Sequence, residues 1–239
     1  MGIRVLVTGG SQGIGRAVIE RLCEDGYQIV NFDLKPPERL LPGEQYFFVD
    51  VSNEASLREA LSKTLADGPI TRLVNNAGIV RPQPIEDITT DDLRVVIDVN
   101  LSASIICAQA LIPGMKASGN GRIVNITSRA ALGKTERIAY ASSKAALHGF
   151  TKALALESGM HGITVNAVGP GPIATELFTR VNPPGESKTK RILETIPLGR
   201  MGLPSEVAHI VASLLDIRAG FVTGQVVYVC GGMTVGLAS

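Results

Sequence analysis

The chain has 239 residues, 45% hydrophobic and 19% charged, with a formal net charge of +1. This composition excludes a disordered polymer and fits one domain over residues 1–239 with a substantial core. The near-neutral balance, without a basic patch alternating with aromatics, points away from nucleic acid and from an anionic membrane surface as partners.

Short β-branched runs predict strands at residues 3–8, 28–32, 46–50, 71–75, 121–127, 162–168 and 225–229. Helical periodicity predicts helices at about 13–25, 53–67, 91–118, 139–159 and 204–215. Most of the strand runs are continuously apolar, as strands covered on both faces are. The alternation implies βαβ units with right-handed crossovers. The fold class is therefore α/β: a Rossmann-type, doubly wound, seven-stranded parallel sheet in three layers.

The stretch 169–203 is expected to be irregular. It opens on Gly169-Pro170-Gly171-Pro172 and contains Pro183-Pro184-Gly185, which forbids one continuous helix. Its apolar residues Leu177, Phe178, Ile192, Leu193 and Ile196 make residues 174–200 a lid over a site rather than a disordered loop. The tetrad Lys188-Thr189-Lys190-Arg191 reads as a solvated face.

No segment is expected to reach the length of a membrane span; the most apolar run lies near Ile105 to Ile112. Met1-Gly2 leads straight into a strand, with Leu6 where a myristoylation site needs Ser or Thr. Cys23, Cys107 and Cys230 are far apart and read as buried free thiols. The expected location is the cytoplasm. His148, His161 and His209 lack ligand spacing, so no metal site is expected.

The first strand ends in Thr8-Gly9-Gly10-Ser11-Gln12-Gly13-Ile14-Gly15 and a helix follows. Glycines let the backbone approach a pyrophosphate, and the helix N-terminus offers free N–H groups to an anion. Alone the turn is a weak signal; its place between a strand and a helix strengthens it. Asp33 ends the second strand, where a carboxylate accepts both hydroxyls of an adenosine ribose and repels a 2′-phosphate. Neither Gln12 nor Leu34 offers a compensating cation, so NAD(H) is the expected cofactor. The alternative for Asp33 is a solvated strand end.

Asn100 falls on an apolar helix face with Val96 and Ile97, so its amide needs a defined network, as structural glue or as part of a proton relay. Tyr140 and Lys144 stand at i and i+4 on another helix. Ser128 closes the preceding strand, and that strand end shares a sheet edge with the start of the Tyr140 helix.

Together these ordered motifs resemble the short-chain dehydrogenase/reductase family over essentially the whole chain. The resemblance implies that Asn100, Ser128, Tyr140 and Lys144 form the catalytic tetrad. It places the cofactor on Gly9, Ser11, Gln12, Gly13, Ile14, Gly15 and Asp33, with Asp50-Val51 near the adenine. Asn76, Ala77 and Gly78, following Asn75, match its signature after the fourth strand. Pro170, Gly171, Ile173 and Thr175, with Tyr140 and Lys144, would meet the nicotinamide half.

The implied reaction interconverts a secondary alcohol, cyclic alcohol or 3-hydroxyacyl compound and its ketone, with hydride passing to or from NAD(H). Tyr140 exchanges the alcohol proton, Ser128 holds the substrate oxygen and Asn100 positions water. Lys144 is expected to lower the Tyr140 pKa by its charge. The family also implies a homotetramer. The helix stripe Ala146, Phe150, Ala153 and Leu154 and the last strand are candidate contacts.

One alternative is an NADPH-dependent 3-oxoacyl-carrier-protein reductase. Such reductases carry basic docking residues where Gly119 and His161 stand here, which favours a small-molecule or coenzyme A-linked substrate. Another is a silent nucleotide-sensing protein, against which an intact Ser128, Tyr140 and Lys144 argue. The loop charges Arg129, Lys134 and Arg137 read as solvated, or as contacts for an anionic substrate group.

Overall fold

The β-branched and aromatic runs form seven strands: β1 (Arg4–Thr8), β2 (Gln28–Asp33), β3 (Glu44–Phe48), β4 (Arg72–Asn75), β5 (Gly121–Ile126), β6 (Ile163–Pro170) and β7 (Val226–Val229). The computed structural model describes residues 2–183 and 185–236, with the backbone alone at Leu177, Arg180, Val181 and Lys188. The strands make one sheet in the order β3-β2-β1-β4-β5-β6-β7, and every neighbouring pair is parallel. Every residue of β4, β5 and β6 is buried, as the continuous apolar runs required.

Helices α1 (Gly13–Glu24) and α8 (Pro204–Leu215) cover one face. The other is covered by α2 (Glu54–Ala66), α4 (Ala103–Ser118) and α5 (Ile138–Ser158). The expected doubly wound α/β architecture is the observed one. Its switch point lies between β1 and β4, and in such sheets ligands bind beyond the C-terminal strand ends there.

Three expectations need correction. First, β3 starts two residues before the expected segment at 46–50, because Glu44 pairs with Ile29 and the register runs to Asp33 beside Phe48. The apolar run hid this, since a charged residue opens the strand. Asp50 has already left it: its carboxylate accepts from the N–H of Ser52 at 2.9 Å in the turn before α2.

Second, the helix expected at 91–118 is continuous over Thr90–Ser118, 29 residues, and is long and apolar enough to cross a membrane by length and composition. It consists of α3 (Thr90–Ile97), a π-helical turn (Asp98–Ser102) and α4. Ala103, Cys107, Ala108, Leu111 and Met115 of α4 lie in the core, so its apolarity is that of a helix packed on a sheet.

Third, the lid segment is not irregular throughout. It holds α6 (Glu176–Val181) and α7 (Ser187–Glu194), and Thr175 caps α6 by accepting from the N–H of Phe178. Met1, Pro184 and the side chains of Leu177 and Lys188, singled out from the sequence, lie outside the described residues. Of the cysteines, Cys107 and Cys230 are buried and Cys23 is half-buried, all as free thiols.

Candidate active site

The turn after β1 is tied to the turn after β4. The Thr8 hydroxyl accepts from the N–H groups of Asn76 and Ala77, both at 3.1 Å. The Asn76 amide donates back to the carbonyls of Thr8 at 3.0 Å and Gly9 at 2.7 Å. This packing leaves no room for a side chain at Gly9, Gly10 or Gly15. A Cβ on Gly15 would sit 2.0 Å from the Gly9 carbonyl, and Gly9 itself has φ +67°. Gln12 makes no side-chain cap on α1 and no acid occupies the first turn. The helix N–H groups therefore keep their donors for an anion, in a cradle suited to a pyrophosphate.

Asp33 stands beside that cradle. Its two oxygens accept from the N–H groups of Ser11 at 2.9 Å and Lys35 at 3.1 Å. These bonds fix the carboxylate and leave lone pairs for further donors. The backbone from Val49 toward Asp50 and Val51 passes the same strand end, with the Val49 N–H on the Asp33 carbonyl at 3.1 Å. From the far side, the Thr175 methyl lies 3.4 Å from where a Cβ on Gly13 would be. The segment from Pro170 to Thr175 thus closes over the turn, with Gly171 bonded to the β7 carbonyl of Val229 at 2.9 Å and Ile173 buried. The cradle, the held carboxylate and this closing segment fit a dinucleotide.

Ser128, Tyr140, Lys144 and Asn100 converge at the edge of β4 and β5. Ser128 follows β5 and Tyr140 lies in the first turn of α5. Lys144, one turn on, is buried; its ammonium donates to the Ile126 carbonyl at 2.8 Å and lies 5.8 Å from the Tyr140 ring centroid. A Cβ on Gly78 would come 3.2 Å from the Lys144 Nζ and 3.4 Å from the Asn100 Oδ1, so Gly78 roofs both.

Asn100 sits in the π-helical turn, fully buried. Its Oδ1 accepts from the Ile79 N–H at 2.8 Å, and its Nδ2 donates to the Ile79 carbonyl at 3.1 Å and the Ser143 hydroxyl at 2.9 Å. Its side-chain bonds tie the loop after β4 to α5. π-turns of this kind re-aim one side chain out of a helix register.

The electrostatics correct one expectation. The Tyr140 phenol is raised above the usual tyrosine range, chiefly by burial. Ser128 and then Arg137 pull it partly back; Lys144 is not among the causes. Lys144 is itself pushed down to about 8 by burial.

Sequence reasoning missed Ser143, which bridges Asn100 to the Tyr140 carbonyl at 2.8 Å, and Thr8 as the link between turns. Ser143 was visible only as a serine beside Lys144, and nothing in the spacing marked it. It also missed the rim. There Asp92 is bonded by Arg81, Gln83 and Thr89, which hold its carboxyl at about 2. Glu136, with φ 57°, accepts from the Gln83 N–H at 3.1 Å and so joins this rim to the loop before Tyr140. Arg137 bonds the Glu136 carbonyl at 2.9 Å. Gly119 and His161 lie at the opposite edge, before β5 and β6.

Residues 9–234 match the family described as Enoyl-(Acyl carrier protein) reductase. The (2S)-[(R)-hydroxy(phenyl)methyl]succinyl-CoA dehydrogenase subunit BbsD of Thauera aromatica is 37% identical, the match covering 97% of this chain and 98% of that one. An acetoacetyl-CoA reductase of Shinella zoogloeoides is 40% identical over 95% and 96%. A crystal structure of a blue fluorescent protein from a metagenomic library, in complex with NADPH, superposes with a TM-score of 0.87 at 32% identity, covering 98% of each chain.

Proposed function

The chain belongs to the short-chain dehydrogenase/reductase family, and from that premise we propose that it is an NAD(H)-dependent oxidoreductase interconverting a 3-hydroxyacyl thioester or related secondary alcohol and its ketone. The observation that carries this reading is the joint placement of Ser128, Tyr140 and Lys144 beside a glycine cradle whose flanking carboxylate is Asp33. In oxidation the Tyr140 oxygen takes the alcohol proton while the Ser128 hydroxyl donates to the substrate oxygen. Lys144 has donors beyond the one on Ile126 and would hold the nicotinamide ribose. Bound NAD(H) supplies the hydride chemistry. Gly9, Ser11, Gln12, Gly13, Ile14, Gly15, Asp50, Val51, Asn76, Ala77 and Gly78 would hold the remainder of it, with Pro170, Gly171, Ile173 and Thr175 over the top.

The thioester class is supported by two relatives whose names carry coenzyme A substrates. The second reading, an NADPH-linked reductase, is favoured by the NADPH held in the structural neighbour. Asp33 argues for NAD(H), because a 2′-phosphate would meet its charge. The partner is a small molecule, not nucleic acid or membrane, and the site of action is the cytoplasm. Assembly as a homotetramer would use the outward side of α5, where Ala153 and Leu156 are exposed; Phe150 and Leu154 of the expected stripe pack inward. A side-by-side assay of both cofactors with 3-hydroxyacyl-CoA substrates tests the proposal. NAD should exceed NADP in kcat/KM by about a hundredfold. Equal efficiency removes Asp33 as selector, and no turnover of any acyl-CoA removes the substrate class.

A further inference from the structure

Behind the glycine turn lies a buried polar cluster that the chemistry above does not use. Glu44 opens β3 with its side chain fully enclosed at 0% exposure. Its carboxylate accepts from Arg16 Nη1 at 2.9 and 3.2 Å, from Asn31 Nδ2 at 2.9 Å and from the Leu41 N–H at 3.1 Å. Asn31, on β2 and also fully buried, donates a second time, to the Ser11 hydroxyl at 3.3 Å. Ser11 is the residue whose N–H holds Asp33. A continuous series of polar contacts therefore leads from Glu44 through Asn31 to the middle of the cofactor turn.

Stability alone is a poor explanation for this cluster. A buried ion pair costs desolvation that its attraction often fails to recover, and apolar replacements of similar volume are commonly tolerated. The amide orientation is the informative feature. Asn31 Oδ1 is buried without a partner, and it lies 2.5 Å from where a Cβ on Gly10 would be. Turning the amide over would set that oxygen against the Glu44 carboxylate, so Glu44 dictates which way Asn31 points. With its oxygen accepting from Asn31, the Ser11 hydroxyl keeps its proton to donate away from the sheet, toward an anion or ribose on the turn.

We propose that Glu44 is a positioning residue for the adenosine half of the cofactor, acting through Asn31 to fix Ser11 as an outward donor beside Asp33. The proposal rests on the NAD(H) reading above.

The test uses ADP-ribose, which carries the adenosine half and no hydride chemistry, titrated by calorimetry into the folded protein. Glu44→Gln and Asn31→Val should each raise Kd about tenfold, and the double variant little further, as expected of two residues on one path. In turnover the same variants should raise KM for NAD by a similar factor while kcat falls less than about threefold. A Glu44→Gln protein within about twofold of the native Kd, or one whose kcat falls as far as KM rises, makes the cluster a structural brace and overturns the proposal. Should Glu44→Gln fail to fold, Asn31→Val decides by the same readout, since it leaves the Arg16–Glu44 pair intact. Asp33→Asn is the reference. If it leaves ADP-ribose affinity unchanged, the cofactor reading fails and the proposal with it. If it weakens binding while Glu44→Gln and Asn31→Val do not, only the proposal fails.

Discussion

The two edges of the sheet both bury cations, and they use them differently. At the edge where the strands begin, Arg72 and Arg122 stand directly opposite each other in the β4–β5 ladder. Arg72 donates to the carbonyls of Leu215 at 2.9 Å, Thr71 at 3.0 Å and Asn120 at 3.3 Å, and to the Asn120 amide oxygen at 3.3 Å. Arg122 does the same with Gly121 at 2.7 Å, Gly162 at 3.1 Å, Ile217 at 3.3 Å and Asp216 at 3.4 Å. Of these carbonyls, that of Leu215 ends α8 and that of Asp216 caps it, at the negative pole of the helix. At the edge where the strands end, Lys144 is as deeply buried, yet its ammonium has one acceptor among the described residues, the Ile126 carbonyl. Burial is the same; the number of spent donors differs. Cations that spend four donors on backbone and amide oxygens hold the fold, and one that spends a single donor is placed for a ligand.

The largest effect that sharpens this contrast is at Tyr140. Tyr140→Phe removes the proton carrier and leaves the ring, so kcat should fall about a thousandfold, while NADH binding followed by fluorescence stays near native. The native oxidation rate should climb as pH rises from neutral, because burial holds the phenol above its usual range in the unliganded chain. A variant with most of its kcat would show that the C-terminal edge carries its chemistry elsewhere.

Lys144 comes next. Its pKa in the fold is about 8, against 10.5 for a free lysine. The folded state thus binds the proton less tightly than the unfolded chain does. The penalty is fully present below pH 8 and vanishes above the unfolded value, so this residue's contribution to stability rises with pH across the window from about 8 to 10.5. The whole shift amounts to about 3 kcal/mol. Denaturant melts of the native protein and Lys144→Met, compared across that window, should show their stability difference moving in the native protein's favour as pH rises. A difference that stays flat means the ammonium is solvated and the edge is not what its burial indicates.

The contrast also explains what the sequence could disclose. Strand and helix order followed from apolar runs, because central parallel strands are buried on both faces and contain little else. Gly15, Asp33, Ser128 and the Tyr140–Lys144 pair were legible because a turn, a strand end and a helix face each restrict what a side chain can reach. Glu44 and Arg72 were not. A charged residue at the start of a strand looks solvated, and the acceptors that make its burial possible lie far along the chain: Leu215 is 143 residues from Arg72. The direction of the Tyr140 shift failed for a related reason. Spacing on a helix shows that two groups are neighbours, but burial decides how much charge each one carries.

The smallest expected effect belongs to the structural edge and tests it most directly. Arg72→Met keeps much of the side-chain volume and strands the Leu215 carbonyl and the Asn120 amide oxygen, while the Thr71 carbonyl keeps the Arg122 N–H and the Asn120 carbonyl keeps the Ser118 hydroxyl. Unpaired buried acceptors are unfavourable, whereas removing a buried charge that repels Arg122 gives something back. The net loss should be about 2 kcal/mol, read as a lower denaturant midpoint with an unchanged slope. Because the residue lies at the opposite end of β4 from Asn75 and the cofactor turn, kcat and KM for NAD should match the native values. If Arg72→Met is as stable as the native protein, the arginine bonds only replace what water or an apolar side chain would supply. If instead it keeps its stability and loses kcat, the two edges are coupled through β4, and the division between a holding edge and a reacting edge fails.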